Sequence, residues 1–150
     1  MYLYLVVAEN GLFKIGKSEN PQARAANIKT NSPCDVSTFL WIYYDDSEWN
    51  LEEDLHIAFA GQKIRGEWFA LDYHDLNWIL STVQHELDEQ ISPQTQIYLR
   101  ETLKEMREWG FFKLGRYHLT HSVQSAALNR LSVITDKYLA PDYLDLVAAE

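Results

Sequence analysis

Two short runs of strand-forming residues joined by a three-residue turn open the chain, and they constrain its fold more than anything that follows. Residues 2–8 (YLYLVVA) are aromatic and β-branched, Glu9-Asn10-Gly11 supplies a turn, and residues 12–16 (LFKIG) form the second run, so the pattern predicts an antiparallel hairpin. Residues 36–44 (VSTFLWIYY), dense in the same residue types and bounded by turn formers, complete a small sheet. Between them Asn20-Pro21 starts a helix over residues 22–29, because proline in a first turn forfeits no hydrogen bond, and Thr30-Asn31-Ser32-Pro33 stops it. Residues 46–59 read as a second helix: Ser47 is its expected N-cap, its early acidic residues suit the helix dipole, and Leu51, Leu55 and Phe59 recur every four residues until Gly61.

After Gly66-Glu67-Trp68-Phe69 the character changes. Leu76, Ile79, Leu80, Val83 and Leu87, then Ile97, Leu99, Leu103 and Met106, recur at helical spacing, with Ser92-Pro93 separating two helices. A turn around Gly115 and a helix over residues 122–137 follow. The expectation is an α+β fold: a domain of residues 1–75, a small antiparallel sheet flanked by helices, and an all-helical extension of residues 76–150.

At 150 residues and 47% hydrophobic the chain has the means to pack one core, burying roughly two thirds of its unfolded surface. Its net charge of −9 excludes a histone-like grip on nucleic acid through a general excess of Lys and Arg, so any such contact is local. The single Cys34 makes no internal disulfide, which fits a reducing compartment. The apolar N-terminal run is too short to span a bilayer and lacks the basic flank of a secretory signal, so the expected place is the cytoplasm, with no membrane contact.

Three groups of residues can carry chemistry. The hairpin sets Tyr4 and Lys14 on adjacent strands, and the helix starting at Pro21 carries Arg24 towards the same face. A nearby positive charge favours phenolate and would make Tyr4 a better base. Read from spacing alone, Tyr4 as a packing residue and Lys14 and Arg24 as solvated charges is the simpler account. Glu52 and His56, four apart on one helix face, could ligate a divalent ion or orient one another, although an acidic first turn needs no metal to explain it. From Trp109 to Thr135 there is no acidic residue, while Lys113, Arg116 and Arg130 occur with His118 and His121, either a phosphate-facing patch with Phe111, Phe112 and Tyr117 for stacking or a helix hairpin with incidental cations.

Taken in order, YLYLV, FKIG, Arg24, LEEDLHIAF and RGEWFAL resemble the GIY-YIG nuclease superfamily, in its phage and bacterial branch with KIG in place of YIG and an LH pair followed by GEWF. The resemblance spans residues 2–72. It implies a DNA endonuclease in which Tyr4 is the general base towards water, Lys14 lowers the Tyr4 pKa or positions the water, and Arg24 holds the scissile phosphate. Glu52 falls at the family's metal-binding carboxylate, so the implied cofactor is one Mg²⁺ or Mn²⁺, with Glu53 in reserve and His56 and Glu67 in support. Two departures stand out: Ile28 occupies a position that is often His or Tyr, and no late-strand asparagine is evident near residues 66–69.

With DNA as the implied partner, Lys17, Lys113, Arg116 and Arg130 are the candidate contacts outside the reacting centre. Two rival readings remain at this level. One is a non-cleaving module on the same scaffold that binds nucleic acid or a protein partner; the other is an acidic interaction protein in a phage defence or counter-defence assembly. The helical extension could equally provide a homodimer surface.

Overall fold

A computed structural model describes residues 1–112 and 120–139. The expected α+β architecture holds. Strands β1 (Tyr2–Ala8), β2 (Phe13–Ser18), β3 (Val36–Tyr43), β4 (Lys63–Arg65) and β5 (Trp68–Phe69) form one antiparallel sheet in the order β3-β1-β2-β5-β4. The opening hairpin closes through Gly11, whose φ of 83° suits a residue without a side chain, and Asn10 Oδ1 accepts from the Leu12 amide. Its register pairs Tyr4 with Gly16 and Val6 with Lys14.

Alternation along β1 divides the sheet's two faces. Leu3, Leu5 and Val7, with Phe13 and Ile15 of β2, point into the larger core. Tyr4 and Val6 point the other way and pack with Trp41 of β3 and Ile28 of helix α1 (Pro21–Asn31). The α1 N-terminus forms as the sequence suggests: Pro21 occupies the first turn and the Asn20 side chain accepts from the Ala23 amide. Helix α1 therefore lies over the Tyr4 face, which is what lets Arg24 reach Tyr4.

Two local expectations need correction, and a further hairpin joins the sheet. Helix α2 is Leu51–Ala58, and Ser47 is not its cap, because the Asp45 carboxylate accepts from both the Ser47 amide and its hydroxyl and holds residues 45–47 in a turn. The segment around GEWF is a second hairpin, β4 and β5, joined at Gly66 with φ of 56°. The stretch from Leu76 to Trp109 holds three helices, α3 (Tyr73–Thr82), α4 (Gln84–Gln90) and α5 (Pro93–Glu108), the first break falling at Val83 without proline or glycine.

The helical part packs on the sheet. Leu76, Ile79, Leu80, Leu87, Leu99, Leu103 and Met106 join Leu3, Leu5, Phe13 and Phe39 in one continuous core. Ile97, grouped with them by periodicity, instead faces outward and is 58% exposed. Helix α6 (His121–Ile134), capped by Thr120 and continued by a π-helical turn (Thr135–Leu139), lies against β3: Ser132 meets Ser37 at 3.1 Å and the Thr135 hydroxyl donates to the Thr38 carbonyl. No helix among the described residues is long and apolar enough to cross a membrane.

Candidate functional site

The site is assembled around β2. Tyr4 is almost fully buried, and its ring lies across Gly16 on the neighbouring strand, so close that a Cβ at Gly16 would collide with it. Since Gly16 is not among the positive-φ glycines, space rather than backbone freedom is what requires glycine there. From α1, Arg24 Nε donates to the Tyr4 hydroxyl at 3.4 Å while Nη1 reaches Asn27 Oδ1 at the same distance. Tyr4 and Arg24 thus meet as their spacing suggested.

Lys14 stands diagonally across the hairpin from Tyr4, on the same face. Its ammonium lies 3.3 Å from Glu67 Oε2 and 5.5 Å from the centre of the Trp68 ring. Glu67 is therefore its immediate charged partner. The turn at Gly66 sets Glu67 beside β2, and the Ile15 amide donates to the Glu67 carbonyl at 3.1 Å.

The backbone carbonyl of Ile15 fixes α2. His56 Nε2 lies 2.8 Å from the Ile15 carbonyl oxygen. A carbonyl only accepts, so Nε2 must carry a proton and cannot at the same time ligate a metal through that atom. His56 also packs edge-on against Phe69 at 5.0 Å. Its place is that of a strut between α2 and β2. One turn earlier, Glu52 Oε1 lies 3.9 Å from His56 Nε2, and ligand atoms of Glu52, His56 and Glu67 all fall within 4.8 Å of one another.

Electrostatics follow from this packing. Burial raises the Tyr4 pKa most; the Arg24 hydrogen bond pulls it down, and the charges of Glu67 and Glu52 push it up again. The expected shift towards phenolate is therefore overturned in this arrangement, because desolvation outweighs the guanidinium. Burial and repulsion from Glu67 likewise raise Glu52, with His56 and Lys17 opposing. Two carboxylates held together with one of them partly desolvated form an oxygen donor set suited to a hard divalent cation, which would relieve their repulsion. Glu53 lines, with Glu52, His56, Asn50, Lys17 and Asp46, an adjoining hollow of about 230 Å³.

The more distant cations are largely occupied within the protein. Lys17 pairs with Asp46 at 3.2 Å. Arg130 pairs with Glu105 at 3.4 Å and lies 4.8 Å over the Tyr98 ring, inside the helical layer. Lys113 and Arg116 lie outside the described residues, as do His118, Tyr117 and the turn expected at Gly115. Sequence reasoning gave little weight to Glu67 and none to Gly16, although Gly66 preceding Glu67 was a legible hairpin signal.

Comparison with known proteins returns the T5orf172 domain, whose family model matches residues 1–84, more than half of the chain. No curated protein and no solved structure matches.

Proposed function

The chain belongs to the T5orf172 domain family, a phage-associated domain with a nuclease-like or DNA-binding character, and on that premise we propose that it is a metal-dependent endonuclease of GIY-YIG type acting on DNA phosphodiester bonds. The observation that carries this reading is convergence: Tyr4, Arg24, Lys14, Glu67 and Glu52, drawn from β1, α1, β2, the β4–β5 turn and α2, form one linked cluster on and beside a single sheet face. A purely structural account of these residues has no need to bring two carboxylates to a buried phenol and a guanidinium.

In this mechanism Arg24 binds the scissile phosphate and offsets the charge that develops on its oxygens. Tyr4, held by Gly16 beneath its ring and Arg24 at its hydroxyl, orients the attacking water and takes its proton when ionised. Glu52, with Glu67 beside it, would hold one Mg²⁺ or Mn²⁺, which when bound supplies Lewis-acid stabilisation of the leaving oxygen. His56 keeps Glu52 at its distance from β2. Lys14, paired with Glu67, offsets part of that carboxylate's charge beside Tyr4.

The test is cleavage of supercoiled and branched DNA by the purified chain with Mg²⁺ or Mn²⁺, beside Glu52→Ala and Arg24→Ala. Nicking that requires the metal and falls by about 10²-fold or more in both variants, with their melting temperatures unchanged, supports the mechanism. Retained activity in both variants overturns it. A folded protein that cuts no substrate but shifts DNA in a binding assay favours the non-cleaving module instead.

A further inference from the structure

Resting on the metal-dependent reading above, we infer that Glu67 is a second carboxylate ligand to the same divalent cation, and that Lys14 is its competitor, holding the Glu67 carboxylate while the cation is absent. Glu52 alone is a poor cage for a hard ion, since the remaining places must be filled by water and substrate. His56 does not fill one through Nε2, because that atom donates to the Ile15 carbonyl. Among the described residues, Glu67 is the carboxylate grouped with Glu52 and His56, its ligand atom within 4.8 Å of that of Glu52.

Its position is built rather than incidental. The β4–β5 turn is tied to β2 by the Ile15 amide on the Glu67 carbonyl, and α2 is tied to the same residue by His56 on the Ile15 carbonyl. The backbone of one β2 residue therefore helps set the spacing between the two carboxylates. Lys14, only 14% exposed at its side chain and 3.3 Å from Glu67 Oε2, supplies a compensating charge.

The consequence separates a ligand from a mere ion-pair partner. If Glu67 only neutralised Lys14, each charge would act on a cation at Glu52 through space alone, and Lys14→Met would tighten binding equally with Glu or Gln at position 67. If Glu67 is a ligand for which Lys14 competes, Lys14→Met tightens binding with Glu at position 67 and has little effect with Gln there.

The experiment is Mn²⁺ binding to the full chain, without DNA, followed by calorimetry and by loss of the free-ion electron paramagnetic resonance signal. The variants are Glu52→Gln, Glu67→Gln, Lys14→Met and the Glu67→Gln/Lys14→Met pair, with Glu89→Gln on α4 as a control for the loss of one surface negative charge; equal tightening by Lys14→Met with Glu and with Gln at position 67 overturns the inference. We expect Glu67→Gln to weaken binding by about tenfold or more, Lys14→Met to tighten it severalfold, and Glu89→Gln to leave it unchanged. Thermal melts accompany each variant, and the opposite sign expected for Lys14→Met cannot come from partial unfolding. Wild-type affinity in Glu67→Gln, with binding lost in Glu52→Gln, overturns the inference and leaves the nuclease reading standing. Absence of Mn²⁺ binding in the wild-type chain overturns the inference, while the nuclease reading stands or falls on metal-dependent cleavage of DNA.

Discussion

Substituting Gly16 by Ala tests the geometry of the site without touching a charge. A Cβ at position 16 would come within 2.9 Å of Tyr4 Cε1 and closer still to Cζ and the hydroxyl oxygen. The ring has nowhere to retreat, being packed with Val6, Trp41 and Ile28 at 2% exposure. Overpacking of this kind costs about 1–3 kcal/mol, and displacing the hydroxyl from Arg24 adds about 1 kcal/mol. For a chain of this size the sum corresponds to a melting temperature lower by roughly 5–15 °C. The sign is informative, because Gly→Ala within a strand otherwise stabilises by about 0.5–1 kcal/mol.

Changing the residue at position 4 separates the ring from its hydroxyl. Tyr4→Phe removes the hydroxyl but leaves Cζ and Cε1 in the way, so Gly16→Ala should cost nearly as much there as in the wild type. Tyr4→Leu removes the ring, and in that background Gly16→Ala should be neutral or stabilising, a coupling of roughly 2 kcal/mol in a double-mutant cycle. Thermal or urea unfolding of the six proteins measures it. An equal cost of Gly16→Ala with Tyr and with Leu at position 4 would refute the close approach as its cause.

Two further outcomes follow from the same structure. Because burial raises the Tyr4 pKa above its ordinary value of 10.0, cleavage that depends on the phenolate should rise about tenfold per pH unit between pH 7 and 9 without levelling off, and Tyr4→Phe should abolish that rise; a wild-type plateau near pH 7 in initial-rate measurements would remove Tyr4 from the role of base. His56→Ala leaves the Ile15 carbonyl without its side-chain donor and deletes the contact with Phe69, which should lower stability by about 1–3 kcal/mol, whereas His56→Gln, which keeps an N–H donor, should recover part of it in thermal melts.

The legible parts of the fold are those whose signals are local. The opening hairpin and β3 carry runs of β-branched and aromatic residues long enough to specify strands, and Asn20-Pro21 marks a helix start by its own chemistry. The start of α2 was illegible because Ser47, a good cap in isolation, donates its amide and hydroxyl to Asp45 and is held in the turn before the helix. Strands β4 and β5, three and two residues long, are too short for any periodicity to show. At the site, the meeting of Tyr4 with Arg24 could be anticipated from a hairpin and the helix beside it. The pairing of Lys14 with Glu67 could not, since it depends on a turn far along the chain docking against β2.

That dependence makes the site and the core a single constraint. Along β2, Phe13 and Ile15 fill the larger core while Lys14 and Gly16 serve the opposite face. A slip of one residue in the β1–β2 register would turn the Lys14 ammonium into the core and set a side chain under the Tyr4 ring, so the apolar residues that specify the register also specify the chemistry. The backbone of the same strand then fixes the rest, with the Ile15 amide holding the Glu67 turn and its carbonyl holding His56 and, through α2, Glu52. Substitutions of Phe13 or Ile15 should for this reason disturb the Glu52–Glu67 spacing as well as stability, even though neither side chain faces the site.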